Sequence, residues 1–280
     1  MYKKITIEAI DYIKENLEED LTVENIAEYC NFSKYYFNRL FKAEVGESVY
    51  AFIKRLRIEK SAFQIIREPY KSITEISTTY GYSSSNYSTA FKKHYKKSPA
   101  VIKKYFTNKK ILDNNRGFFA DLRNKDYEYY NNKMKLIELQ DIEVVYHRFI
   151  GNYHNLGSYW DEFCENYNMY YDQHSWLIEI SYDDPMLTDP DRCITDICIT
   201  TYKPIEADCT TMIIKGGRYT VYNFEGPNTK ICEAFQGLLG VWSIKSPYKM
   251  DLETRKIFTK YNFIDLENNY FSLNIYIPIK

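Results

Sequence analysis

The sequence predicts a multidomain protein: an all-α front with two helix-turn-helix units joined by a long helix, then an α+β domain on an antiparallel sheet. Three observations predict this. The frame [NG]-[FY]-S-x3-[FY]-x3-F-K occurs twice in the front, beginning at Asn31 and again at Gly81. Charge divides the chain: residues 1–106 carry a net +5, residues 107–133 a net +2 and residues 134–280 a net −8. Apolar spacing changes from helical to strand periodicity near residue 134. A length of 280 residues suits about two domains.

Composition narrows the class. A chain 45% hydrophobic and 27% charged is not broadly disordered. No run approaches the ~18 apolar residues of a membrane span, and Met1-Tyr2-Lys3-Lys4 lacks a signal peptide's apolar stretch. A cytoplasmic protein without membrane contact is expected. Cysteines 30, 164, 193, 198, 209 and 232 form no C-x-x-C pair, and no H-E-x-x-H occurs. No metal or cofactor is expected, and the cysteines read as buried thiols. The 29 tyrosines accompany plentiful Asn, Lys and Ile, so their positions inform more than their number.

The first copy spans about residues 22–45. Val23, Ile26 and Ala27 mark the apolar side of a short helix, Asn31 suits a left-handed turn, and Ser33 suits an N-cap. Phe37, Leu40, Phe41 and Glu44 then share one face of a second helix. The second copy, about 72–95, repeats this with Ile73, Ile76, Ser77, Gly81, Ser83, Tyr87, Ala90 and Phe91. Small Ala27 and Ser77 allow close helix approach, as helix-turn-helix units require. Between the copies, Val49, Phe52, Ile53, Leu56, Phe63 and Ile66 stripe a helix over about 48–66, roughly 28 Å long. Such a rod could hold two recognition helices about one DNA turn apart, ~34 Å.

The outward face of the first copy's second helix holds Tyr35, Asn38, Arg39 and Lys42. Arginine pairs bidentately with guanine, asparagine with adenine, and a tyrosine ring packs on a thymine methyl. The second copy offers the shorter Ser85, Ser88 and Thr89. These six residues, Lys42 aside, are the candidate base contacts. Lys34, Lys42, Lys92, Lys93, Lys96 and Lys97 are the candidate phosphate contacts, with Lys103 and Lys104 beyond them. The first copy is expected to read sequence, and the second mainly to anchor the backbone. With the two repeated frames, Ala27, Gly46, Arg55-x-Arg57-Ile58 and Ser98-Pro99, residues 5–106 resemble the DNA-binding domain of the AraC/XylS transcription regulators. The resemblance implies seven helices with both recognition helices in successive major grooves. It implies a base-reading arginine at Arg39; relatives often have another arginine where this chain has Thr89.

Residues 107–133 read as a partly docked linker, with a turn signal at Asn114-Asn115-Arg116-Gly117 and apolar Phe118, Phe119, Leu122 and Tyr127. Beyond it, strands are expected at 144–146, 176–182, 194–201, 212–214, 218–224 and 270–277, with helices near 156–172 and 228–241. Gly216-Gly217 reads as a hairpin turn. Glu179 and Asp196 interrupt apolar strands. They face either solvent or an aromatic cleft that would suit lipophilic cations.

Arg148-x-x-Gly151-x-Tyr153, Trp160, Tyr182-Asp183-Asp184-Pro185, Asp196, Gly216-Gly217-x-Tyr219, Gly226-Pro227, Trp242 and Tyr276-Ile277-Pro278 make residues 134–280 similar to the GyrI-like effector-binding family. That resemblance implies an amphipathic small-molecule effector in an aromatic cleft between two halves. The candidate ligand residues are Tyr153, Trp160, Glu179, Tyr182, Asp196, Tyr219, Trp242, Asn274 and Tyr276. In the family a glutamate often sits four residues before the final proline; here that residue is Asn274. Together the resemblances imply a monomeric activator of drug-resistance or efflux genes on double-stranded DNA, with RNA polymerase a further candidate partner. Two alternatives are a GyrI-like hydrolase using Glu162, Glu179 or Asp196 as a base, and passive drug sequestration.

Overall fold

The computed structural model describes residues 4–68, 70–107, 126–184, 187–206, 209–252, 254–265 and 267–280. The junction's turn signal at 114–117 and its Phe118, Phe119 and Leu122 lie outside them, as does Pro185. The chain divides into two compact units, Met1–Asn115 and Arg116–Lys280.

In the first unit, α1 (Lys4–Glu15) buries Ile7, Ile10 and Ile13 on one stripe. The Thr22 side chain caps α2 (Val23–Tyr29) by accepting the Asn25 N–H. Asn31 then adopts φ 59°, and the Phe32 N–H donates back to the Ala27 carbonyl at 2.8 Å. Ser33 caps α3 (Lys34–Val45), which stops at Gly46 with φ 82°. The second copy reproduces each step. Ser72 and Glu75 form a capping box on α5 (Ile73–Thr79). Gly81 takes φ 73°, Tyr82 N–H donates to Ser77 O at 2.9 Å, and Ser83 caps α6 (Ser84–Tyr95). The linking helix α4 (Val49–Arg67) has 19 residues and starts at Ser48. Pro99 opens α7 (Pro99–Thr107), where its missing N–H costs nothing.

Phe37, Phe41, Phe52, Tyr87 and Phe91 form the fully buried centre of this unit. Tyr87, in the place of Phe37, needs a partner for its hydroxyl and donates to Ser61 Oγ at 2.8 Å. Arg55 lies buried between Glu47 and Glu59. Arg57 donates to the carbonyls of Leu17 at 3.0 Å and Glu19 at 2.5 Å, tying the end of the α1 segment to α4.

The second unit begins its described part with α8 (Tyr127–Asn131), inside the segment read as junction. Its Tyr130 is fully buried against Tyr222, Leu238 and Trp242. The strands are β1 (Met134–Leu139), β2 (Ile142–Ile150), β3 (Leu177–Ser181), β4 (Ile194–Thr200), β5 (Thr211–Ile214), β6 (Gly217–Gly226), β7 (Phe258–Asp265) and β8 (Tyr270–Pro278). Helix α9 (Leu156–Tyr167) follows β2, and α10 (Ile231–Gly237) follows β6 and continues as a π-turn, Leu238–Trp242. Strands β1 and β7 were not among the expected ones.

All pairings are antiparallel in one sheet of order β1-β6-β8-β7-β3-β4-β2-β5. The unit is a repeat of strand, strand, helix, strand, strand: β1-β2-α9-β3-β4, then β5-β6-α10-β7-β8. The halves meet at a short β3–β7 seam of three residue pairs. Each half lends its first strand to the other, since β1 pairs with β6 and β5 with β2.

This connectivity curls the sheet. β1 and β2 stand six ladder steps apart, about 29 Å if flat. Yet only Gln140 and Asp141 join them, and two residues span at most about 11 Å. The Lys215-Gly216 link between β5 and β6 imposes the same closure. The two links meet: Gly216 N–H donates to Asp141 Oδ1 at 2.8 Å. Glycine is required there, because a Cβ on Gly216 would lie 2.5 Å from the Leu139 carbonyl oxygen. Gly216-Gly217 is therefore not a hairpin turn. It crosses from one edge of the ladder to the other.

Both helices lie on the outer face. Phe163 of α9 packs with Val145, Phe149, Ile197 and Ile199. Trp242, Leu238 and Tyr130 pack with Tyr222, Phe224, Leu273 and Ile275. The inner face is buried by the curl itself, with Ile178, Ile180, Cys198, Tyr219 and Phe258 almost wholly enclosed. Of the cysteines, 30, 193 and 198 are buried and 209 is half-buried. Cys164 and Cys232 are exposed on the solvent faces of α9 and α10, against the expectation that all are buried. Among the described residues no cluster of three metal-ligating side chains occurs, and no helix is long and apolar enough to cross a membrane.

Candidate nucleic-acid interface and ligand cleft

The caps at Ser33 and Ser83 fix which face each recognition helix turns outward. On α3, Phe37 and Phe41 point to the core, leaving Tyr35 75% exposed and Arg39 exposed beside it. The Arg39 guanidinium lies 5.8 Å from the Tyr35 ring centroid, a cation–π contact on that exposed face. Asn38 is engaged elsewhere. Its Oδ1 accepts the Val49 N–H at 3.3 Å, so it helps cap α4. That bond uses one of the two lone pairs of the oxygen and ties the side chain toward the start of α4. On α6, Ser85 and Thr89 are exposed and Ser88 is half-buried. Thr89 Oγ1 donates to its own helix at Ser85 O, 3.0 Å away.

Lys42, Lys92, Lys93, Lys96 and Lys97 are all exposed. Lys96 takes φ 57° at the end of α6, and its ammonium donates to the Lys93 carbonyl at 3.0 Å. Lys34 is ion-paired to Glu24 on the surface. An exposed pair of this kind is worth little, so a phosphate can displace it.

In the second unit the nine candidate ligand residues do not share one cleft. Ladder register assigns them to opposite faces. Trp160, Glu179 and Trp242 lie on the outer, helix-covered face. Trp242 is 1% exposed, and its Nε1 donates to Asn131 Oδ1 at 3.2 Å, so it is core. Tyr153 lies beyond β2, its hydroxyl donating to the Asp183 carbonyl at 2.9 Å. Tyr182, Asp196, Tyr219, Asn274 and Tyr276 lie on the inner face.

The outer-face seam holds a buried carboxylate. Glu179 accepts from the Tyr261 hydroxyl at 2.7 Å and from Ser181 at 2.9 Å. The Trp160 ring stands edge-on to Tyr261 at 5.5 Å. Burial pushes the Glu179 pKa up, against the pull of Tyr261, Ser181 and Trp160. Such a carboxyl holds its proton more tightly folded than unfolded. Stability therefore falls as pH rises above its ordinary value of 4.5. Glu179→Gln abolishes this titration. In thermal melts from about pH 4.5 to 8, the variant's Tm should gain steadily on the parent's. A gap that stays constant would show that Glu179 ionises equally in both states.

On the inner face Asp196 is fully buried and paired with Arg148. Arg148 Nε and Nη2 donate to its two oxygens at 2.6 and 2.7 Å, and the Tyr182 hydroxyl adds a third bond at 2.6 Å. Asp196 thus faces neither solvent nor a free cationic ligand. Lys256 Nζ donates to the Tyr182 hydroxyl at 3.0 Å. Tyr276 stacks on Phe258 at 4.3 Å and meets Tyr219 edge-on at 6.4 Å. Asn274, Asn223 and Asn262 join in a row, at 3.0 and 3.5 Å. The row borders a cavity of about 1120 Å³, which opens along β6 beyond the start of β1 and is also lined by Lys135, Val221 and Tyr276. Trp176 and Lys260, side by side on this face, were not among the candidates. Their signal was a lysine inside the apolar run of β7, a strand that sequence reading missed.

Comparison with known proteins bears on both units. Residues 10–105 match a helix-turn-helix domain family, and residues 132–280 match the GyrI-like small molecule binding domain. The chain is 34% identical over 92 residues to the multiple antibiotic resistance protein MarA of Escherichia coli (strain K12), covering 32% of this chain and 72% of MarA. It is 32% identical over 113 residues to the uncharacterized HTH-type transcriptional regulator YbfP of Bacillus subtilis (strain 168), covering 39% of this chain and 38% of YbfP. It is 29% identical over 94 residues to the transcriptional regulator Rob of Salmonella typhimurium, covering 33% of this chain and 32% of Rob.

Proposed function

The chain belongs to the AraC-type helix-turn-helix transcription regulators that carry a GyrI-like small-molecule binding domain, and on that premise we propose that it activates drug-resistance or efflux genes in response to an amphipathic effector. The observation that carries the DNA reading is the duplicated turn. Asn31 and Gly81 share one backbone conformation and one back-bond, and each aims a capped helix outward. Arg39 on the first helix is the sequence reader. The second helix, with short side chains and the lysines after it, holds phosphates. One chain then supplies both helices and acts as a monomer in the cytoplasm, with RNA polymerase as the partner that turns binding into activation. The roles in the relatives' names, antibiotic resistance and transcriptional regulation, support this reading.

The test is competition binding on DNA from upstream of the protein's own gene against random duplex. Arg39→Ala should lose about 1–3 kcal/mol of discrimination while keeping most of its non-specific, salt-sensitive affinity. Undiminished discrimination in that variant would remove Arg39 from the role and with it the asymmetry between the two helices.

A further inference from the structure

On the inner face of the curled sheet, Lys260 of β7 pairs directly with Asn274 of β8 and with Ile178 of β3. Its ammonium stands 4.1 Å from the Trp176 ring centroid, and Trp176 in turn lies 6.4 Å from Tyr276. The lysine is half-buried, and no carboxylate among the described residues pairs with it. The acids that share this face or the cavity are already engaged. Asp196 is held by Arg148 and Tyr182, Glu233 pairs with Lys230 at 2.7 Å, and Glu225 accepts from the Tyr270 hydroxyl at 3.3 Å. Asn274, the strand partner of Lys260, lines the cavity with Asn223, Asn262, Tyr276 and Lys135, and Lys260 and Trp176 stand next to that lining. A partly desolvated cation against one aromatic ring, with a second ring beyond it and no carboxylate of its own, is a recognition element for an anion attached to a flat apolar body.

We propose that the effector of this unit is an aromatic anion, its negative group on Lys260 and its ring system against Trp176 and Tyr276. This rests on the ligand-binding reading above and sets its charge, against the unit's net acidity. Burial lowers the Lys260 pKa, consistent with an ammonium that lacks a partner.

The full-length protein is titrated by calorimetry with three probes on one scaffold: 1-naphthoate, 1-naphthalenemethanol and 1-naphthylmethylammonium. The carboxylate should bind tightest and the ammonium weakest. Lys260→Met should weaken naphthoate about tenfold and leave the alcohol unchanged. Lys260→Glu should invert the order of the two charged probes. An ammonium that binds the parent tightest, or naphthoate binding indifferent to Lys260→Met, overturns the charge assignment and leaves the ligand-binding reading standing. Saturable binding by none of the three up to their solubility limits overturns both. A thermal melt of each variant confirms that the fold is kept.

Discussion

Replacing Arg55 by alanine should cost the DNA-binding unit about 3–5 kcal/mol, the range for removing one partner from a buried ion pair. Its side chain is 7% exposed, and it faces Glu47 and Glu59 at 10% and 5%. Arg55 Nε and Nη2 reach Glu47 at 2.8 and 2.7 Å, and Nη1 reaches Glu59 at 3.0 Å. The guanidinium also packs on the Phe52 ring at 5.1 Å. Without it two carboxylates share one enclosed site, where Nε2 of His94 lies 3.4 Å from Glu59. Lysine should not restore the site, since a point charge cannot bond two carboxylates in the guanidinium's fork geometry. Composition supplies an internal control: all three tryptophans, Trp160, Trp176 and Trp242, lie in the second unit. In urea, the helical circular-dichroism midpoint should fall in Arg55→Ala while the tryptophan-fluorescence midpoint stays put. Unchanged midpoints in both would show the network to be without stabilising effect.

The converse holds for Arg148→Ala. Its side chain and that of Asp196 are both fully buried, in a two-pronged pair inside the curled sheet. Removing the guanidinium leaves the enclosed Asp196 side chain with only the Tyr182 hydroxyl of its three bonds, again at a cost of about 3–5 kcal/mol. Here the fluorescence midpoint should fall and the helical transition should hold. The double replacement Arg148→Met with Asp196→Leu should recover most of the loss, because it removes both desolvated charges. Failure of the double variant to recover would mean that the pair sets the strand register and does more than satisfy charge.

The front half was legible because its grammar is local. Asn31, Ser33, Gly81 and Ser83 each act on neighbours within a few residues, and one copy checks the other. Asn38 shows the limit. Its spacing gave the correct outward-turned face, but its partner, Val49, lies eleven residues on. The back half depended on contacts no spacing reveals. Period-2 reasoning left Asp196 open to solvent, yet every residue of β4 is buried, because helices cover one face and the curl encloses the other. Strand β7 was missed because Lys260 and Asn262 break its apolar run and its pairing with β8 shifts register between Tyr261 and Phe263. Strand β1, at the edge of the ladder, leaves Lys135, Leu136 and Glu138 exposed and so gave no alternation to read. For the same reason the sequence could not tell that Trp160 and Glu179 stand back to back with Tyr276, one sheet's thickness apart.

The exchange of leading strands also orders events in time. On the ribosome, α1 to α7 emerge complete and close through contacts near in sequence. β1 emerges soon after and has no ladder partner until β6 is made, and the other edge of β6 waits for β8. Each half of the second unit lacks a strand that the other supplies, so the sheet closes only once β8 is made. The helix-turn-helix unit is therefore complete in the nascent chain before the GyrI-like unit is. Loss of β8 should open the second unit's sheet between β6 and β7 and leave the helices of the first unit folded.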